Sequence, residues 1–135
     1  MNNCTRIHIL LVDDEADVES IFKFYFGSWI KAGHVKLSFT LDGVKALEKI
    51  EENFSNENDI VLVYSDINMP NKDGLSLLEE IKAVYPHIDV FMVSGNASNT
   101  FISKSKELGA TDFYEKPVDF DKLKADLVSK FPHLN

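Results

Sequence analysis

The stretch IVLVYSDINMPNKDG, residues 60–74, decides how this chain is read. An apolar run ends in a single acid, Asp66, and the turn Asn68-Met69-Pro70-Asn71 then leads to Asp73-Gly74. A short, nearly continuous apolar run bounded by turn residues is the pattern of a strand buried on both faces. A lone carboxylate at the end of such a strand is either a turn residue or a chemical group held in place by the strand behind it. Asp73 stands where an N-cap should stand, ahead of the helical pattern GLSLLEEIKAVY, which Pro86 ends.

The same alternation extends in both directions. RIHILLV (6–12) is a second apolar strand, and ADVESIFKFYFGSWIKAG (16–33) reads as one helix. Its stripe is Val18, Phe22, Tyr25 and Trp29, flanked by Ile21 and Phe26, with Gly33 as the stop. VKLSFT (35–40) alternates as a strand, and Asp42 caps GVKALEKIEEN. DIVLVYS (59–65), IDVFMVS (88–94) and the short TDFYE (111–115) are the remaining strands. SNTFISKSKELG is a polar-rich helix closed by Gly109, and Asp119 caps FDKLKADLVSKF, with a stripe of Phe120, Leu123, Leu127, Val128 and Phe131. Five β-α units in succession predict an α/β fold: a parallel sheet with helices on both faces and right-handed crossovers.

Composition narrows the function. The 135 residues suit one domain, 1–135, with no evident linker before the terminal SKFPHLN. No apolar run approaches the roughly 20 residues of a membrane span, and IHILLV is too short for a signal peptide. Cys4 is the only cysteine, so no internal disulfide is possible and a reducing cytoplasm is the expected location. A formal charge of -8 argues against a nucleic-acid surface, which needs clustered Lys and Arg. It suits a site that collects metal cations, although solubility alone would also account for it.

In a parallel α/β sheet, chemistry gathers at the carboxyl ends of the strands. Here those ends carry Asp13-Asp14 followed by Glu15, then Asp66, then Ser94-Gly95, then Lys116-Pro117. Each has a bland reading taken singly: acids favour a helix start, Ser-Gly is a turn, and a lysine before proline is usually solvated. Jointly they mean more, because the alternation brings all of them to one edge. Converging carboxylates repel and raise one another's pKa, a conflict that a divalent cation removes. Mg²⁺ takes a few carboxylate oxygens, keeps several waters and completes its shell with a phosphate oxygen. Lys116 offers a point charge for an anion, Ser94 offers a hydroxyl donor, and Gly95 leaves room beside it. Carboxylates, a metal, a lysine and a hydroxyl describe a phosphoryl site, in which a carboxylate can itself be the nucleophile.

The segments LLVDDE, DGVKAL, DINMPNKDG, MVSG and FYEKPVD, in this order and spacing, resemble the receiver domains of bacterial two-component response regulators, the superfamily of the chemotaxis protein CheY. The resemblance covers about residues 6–131 and implies a flavodoxin-like doubly wound sheet of order 2-1-3-4-5. It implies Asp66 as phospho-acceptor, and Mg²⁺ (with Mn²⁺ as a substitute) held by Asp14, Asp66 and the backbone carbonyl of Asn68, with Asp13 acting through metal-bound water. It implies Ser94 and Phe113 as the switch pair, Lys116 as the lysine that pairs first with Asp66 and then with a phosphate oxygen, and a cis Lys116-Pro117 peptide. Asn68 and Asn96 occupy the positions that tune phosphoryl loss; neither is bulky and apolar, so measurable self-dephosphorylation is expected.

The implied phosphodonor is a sensor histidine kinase or a histidine phosphotransfer protein. The implied readout is the face made by the helix at 98–109, the fifth strand and the last helix, which would control an output protein or an effector domain. Phosphorylation-dependent dimerisation is open to such domains; membrane and direct nucleic-acid binding are not expected. Phe113 stands where Tyr is also common and Ser94 where Thr is frequent, so no phenolic hydrogen bond fixes the inward switch state. Two other readings remain: a receiver-like binding module without phosphorylation, and an aspartyl phosphatase. The phosphatase pairs its nucleophile with a second acid two residues on, where this chain has Asn68. Phe24 falls off the stripe of the first helix; it is either a partly covered side chain or a contact for the phosphodonor.

Overall fold

The computed structural model describes residues 6–54, 60–67, 73–95 and 98–134. Five strands, β1 (Ile7–Val12), β2 (Val35–Thr40), β3 (Ile60–Asp66), β4 (Asp89–Ser94) and β5 (Asp112–Glu115), form one parallel sheet in the order β2-β1-β3-β4-β5. This is the order expected from the sequence. The helices are α1 (Asp17–Tyr25), α2 (Gly27–Lys31), α3 (Gly43–Asn53), α4 (Gly74–Val84), α5 (Asn99–Glu107) and α6 (Phe120–Lys130), and a 3-10 turn follows at Pro132–Leu134. Among the described residues, no helix is long and apolar enough to cross a membrane.

Strand side chains alternate between the two faces, so each face builds its own core. On one face Ile7, Ile9, Leu11, Leu62 and Tyr64 pack with Phe22, Phe26 and Trp29, and with Leu123 and Leu127 of α6. On the other face Leu10, Val12, Val61 and Val63 pack with Ala46 and Ile50 of α3 and Leu77, Leu78 and Ile81 of α4. β3 contributes to both cores, which is why residues 60–64 read as unbroken apolar sequence.

The expected caps are present. Asp42 accepts a hydrogen bond from the Lys45 backbone N–H at 2.9 Å, Asp73 from Ser76 at 2.8 Å, and Asp119 from Lys122 at 3.2 Å. Each occupies one of the orphan amides of a helix start. Gly33 and Gly109, with φ of 82° and 100°, take the left-handed conformation after α2 and α5 that glycine adopts without a side-chain clash.

The single helix expected over 16–33 is corrected by the structure. It breaks at Phe26, and α2 starts at Gly27, a residue that weakens a helix interior. Phe22, Phe26 and Trp29 point inward, whereas Ile21 and Tyr25 are 45% and 41% exposed. With aromatics around most of this helix, two stripes fit the 3.6-residue period. The break selects the one that buries Phe26 completely, a gain of about 2–3 kcal/mol for a side chain of that size. Trp29 also donates its indole N–H to the Leu134 carbonyl at 2.8 Å, tying the terminal turn to α2.

Candidate functional site

The strand register assembles the site. Val12 pairs with Ser65, Asp66 with Val93, and Ser94 with Glu115. Asp13, Asp66, Ser94 and Lys116 therefore occupy the last rungs of four neighbouring strands or the residue just past them. Alternation divides them further. Asp13 follows Ile9 and Leu11 in parity, Asp66 follows Leu62 and Tyr64, and Lys116 follows Tyr114, all on the α1–α6 face. Ser94 and Phe113 have the parity of the opposite face, where Phe113 packs against the core that contains Met92.

At the centre lies Lys116. Its Nζ donates to Asp13 Oδ2 at 2.9 Å and to Asp66 Oδ2 at 3.1 Å, and lies 3.7 Å from Glu15 Oε1. Asp13 and Asp66 are buried, at 4% and 8% exposure. Burial drives the Asp13 carboxyl above its ordinary value and the Asp66 charge adds to this, while the Glu15 backbone N–H and Lys116 partly offset it. For Lys116, burial favours the neutral amine, but hydrogen bonds to the two carboxylates outweigh it and raise the pKa, so the lysine is charged at neutral pH. Two neighbouring acids share one cation, which leaves the pocket with excess negative charge and a capacity for a second cation.

The backbone holds these groups firmly. The Lys116 N–H donates to the Ser94 carbonyl at 2.8 Å, and the Lys116-Pro117 peptide is cis, as expected. The Ser65 hydroxyl donates to the Asp66 carbonyl at 2.9 Å. Gly74 donates its N–H to Ile67 at 2.7 Å, and a Cβ there would run into the Asp66 carbonyl oxygen and lie 2.7 Å from Ile67 Cα. The glycine of Asp73-Gly74 is therefore needed for α4 to start directly beneath the acid. Around Gly95 the space is open: among the described residues nothing lies within 4 Å of where its Cβ would be.

Asp14 is exposed at the mouth, and carboxylate oxygens of Asp13, Asp14 and Glu15 lie within 4.8 Å of one another. Hard oxygen donors that close, one of them on the buried Asp13, fit Mg²⁺. Glu15 was not singled out from sequence; only its place in the acidic run Asp13-Asp14-Glu15 pointed to it. Ser94 is completely buried at the end of β4 and Phe113 is half-buried in β5. Asn68 and Asn96 lie outside the described residues. A cleft of about 550 Å³ opens beside Asp13, Asp66 and Lys116 and runs along Val18, Phe22 and Phe120, giving the site an approach between α1 and α6.

A sequence model of the response regulator receiver domain matches residues 9–128. The chain belongs to this family. Transcriptional regulatory protein ZraR of Klebsiella oxytoca is 32% identical over 128 residues, which are 95% of this chain and 27% of that protein. The chain thus spans about a quarter of the length of this curated relative. Chemotaxis protein CheY of Bacillus subtilis is 30% identical over 115 residues, covering 85% of this chain and 89% of that one. The signal receiver domain of an HD domain-containing protein from Pseudomonas fluorescens superposes with a TM-score of 0.80 at 25% identity, over 96% of this receiver and 97% of that chain. The flavodoxin-like fold and the two-component receiver class follow from these matches.

Proposed function

We propose that this receiver takes a phosphoryl group from a phosphohistidine onto Asp66. The observation that carries the reading is the Lys116 ammonium lying between the Asp13 and Asp66 carboxylates at 2.9 and 3.1 Å. An Asp66 oxygen attacks phosphorus, the phosphorus–nitrogen bond to the donor breaks, and the donor histidine leaves as imidazole. Lys116, released from Asp66 as that carboxylate becomes an acyl phosphate, moves its charge to a phosphoryl oxygen. Asp14, Asp66 and the Asn68 carbonyl would hold the Mg²⁺, with Asp13 acting through metal-bound water. When bound, the ion neutralises charge on the phosphoryl oxygens.

Ser94 then donates its hydroxyl to the phosphoryl group, and Phe113, on the same face of the sheet, moves toward the space that Ser94 leaves. The α5-β5-α6 face changes with it and is read by an output protein or an effector domain. Phe24, 78% exposed on α1, contacts the phosphodonor. The polar Asn68 and Asn96 leave the acyl phosphate open to water, so the phosphoform decays without a partner.

Incubation with acetyl phosphate and Mg²⁺ is expected to add one phosphoryl mass to the intact protein, and Asp66→Asn to abolish the addition. Equal phosphorylation of the variant and the wild type would overturn the assignment. A phosphoform stable for days at neutral pH would overturn the role given to Asn68 and Asn96.

A further inference from the structure

The chain has a formal charge of -8 and 14 Lys and Arg residues in all. Four of these, Arg6, Lys23, Lys31 and Lys36, line one open cleft of about 560 Å³ between the α1–α2 segment and β2. No carboxylate is among the described residues that line it. Lys23 pairs with the Glu19 carboxylate at 3.4 Å on the exposed face of α1. Arg6 donates its Nε–H to the Gly33 carbonyl at 3.3 Å, which holds the guanidinium at one end of the cleft. The floor is apolar: Ile30 and Leu37 are half-buried and pack on the α1–α6 core.

The position of the cleft separates it from the phosphoryl site. Arg6 precedes the first residue of β1, and Ile7 pairs with Val35 at the start of β2. The cleft therefore lies at the amino-terminal end of the sheet, and Asp66 lies at the carboxyl end. β2 is also an edge strand, paired among the described residues with β1 alone. One lysine on an open edge serves to discourage unwanted strand pairing, and Lys36 alone would meet that need. Lys36 has the strand parity opposite to Val35 and Leu37, so its side chain leaves the floor for the far face of β2. Arg6, Lys23 and Lys31 on the α1–α2 side, in an otherwise acidic molecule, go beyond that need.

We propose that this cleft docks an extended acidic segment of a partner protein. Its glutamate or aspartate side chains meet Arg6, Lys23 and Lys31, and an aliphatic side chain rests on Ile30 and Leu37. A nucleic acid fits less well. Three cations neutralise only a short stretch of backbone, and a phosphodiester has no apolar group for the floor. The concave shape likewise suits a peptide better than a flat bilayer. The inference does not depend on the phosphorylation chemistry.

The test is fluorescence anisotropy of a labelled peptide of alternating glutamate and leucine, titrated with the full chain. Saturable binding that weakens as salt is raised is expected, with at least a tenfold loss of affinity in K23E/K31E. The charge-neutral K23Q/K31Q is expected to fall between that variant and the wild type. Both variants should still accept a phosphoryl group from acetyl phosphate, which shows that they fold. Undiminished binding in the two variants, or equal binding of a lysine-leucine peptide, overturns the proposal. So does tighter binding of an oligothymidylate or of phosphatidylglycerol vesicles than of the acidic peptide.

Discussion

Lys116 compensates two buried carboxylates at once, so its removal should be felt in stability as well as in chemistry. Breaking a fully buried ion pair costs about 3–5 kcal/mol, because the remaining charge is left unpaired. Lys116 is a quarter exposed, so for Lys116→Met about 2 kcal/mol is expected in metal-free protein. Mg²⁺ should restore more stability to the variant than it adds to the wild type, since it supplies the missing positive charge. Thermal melts with and without Mg²⁺ check this, and an equal Mg²⁺ effect in both proteins would count against the shared-cation picture. Gly74 gives a second expectation at this scale. Its Cβ would collide with the Asp66 carbonyl and crowd Ile67 Cα at 2.7 Å, both backbone groups that cannot step aside cheaply. Gly74→Ala should lower stability by about 3 kcal/mol or more and displace Asp66, so that melting temperature and phosphoryl acceptance fall together. The acids and the lysine could be found in the sequence because strand ends can be located by pattern. Glu15 could not, because its contact with Lys116 depends on how the loop after β1 turns.

Among the elements, β5 and α6 are joined by a polar tie that sequence reading missed. The Tyr114 hydroxyl donates to Asp126 Oδ2 at 2.7 Å, and Lys122 lies 3.0 Å from the same oxygen. The Tyr114 hydrogen bond is the main reason that the Asp126 carboxyl lies below its ordinary value of 3.8; burial opposes it and Lys122 reinforces it. A carboxyl whose pKa is lowered on folding stabilises the fold above its unfolded pKa, and that contribution disappears as pH falls through the folded value. Tyr114→Phe should therefore cost about 1 kcal/mol at neutral pH, with the difference from wild type shrinking below pH 3.8. Denaturant unfolding at neutral and acidic pH checks the sign. The strands and the Asp caps were legible because their signals are local: apolar runs between turn residues, and an acid ahead of a helical period. The break at Phe26 was not legible. Phe22, Phe24, Tyr25, Phe26 and Trp29 offer an apolar face in almost any direction, and only packing against β1, β3 and α6 chooses among them. The Trp29–Leu134 hydrogen bond joins residues 105 apart in sequence, a separation that periodicity cannot bridge.

Among the described residues the carboxyl end of the sheet is acidic and one corner of its amino end is basic. The carboxyl end gathers Asp13, Asp14, Glu15 and Asp66 around one lysine, and the corner beside α2 gathers Arg6, Lys23 and Lys31 over an apolar floor. The first arrangement follows from the β-α alternation and was visible in sequence, because a parallel sheet sends every strand end to the same side. The second was hidden, since its residues come from the start of β1, α1, α2 and β2 and meet only in the folded chain. The central claim is that the acidic end exists to place a phosphoryl group on one side chain. Borohydride reduction of the acetyl-phosphate-treated protein, followed by peptide mapping, reads that side chain directly, because an acyl phosphate is reduced to an alcohol. Reduction of Asp66 to homoserine, and of no other acid, is the expected result. Reduction at Asp13 or Asp14, with Asp66 intact, would contradict it.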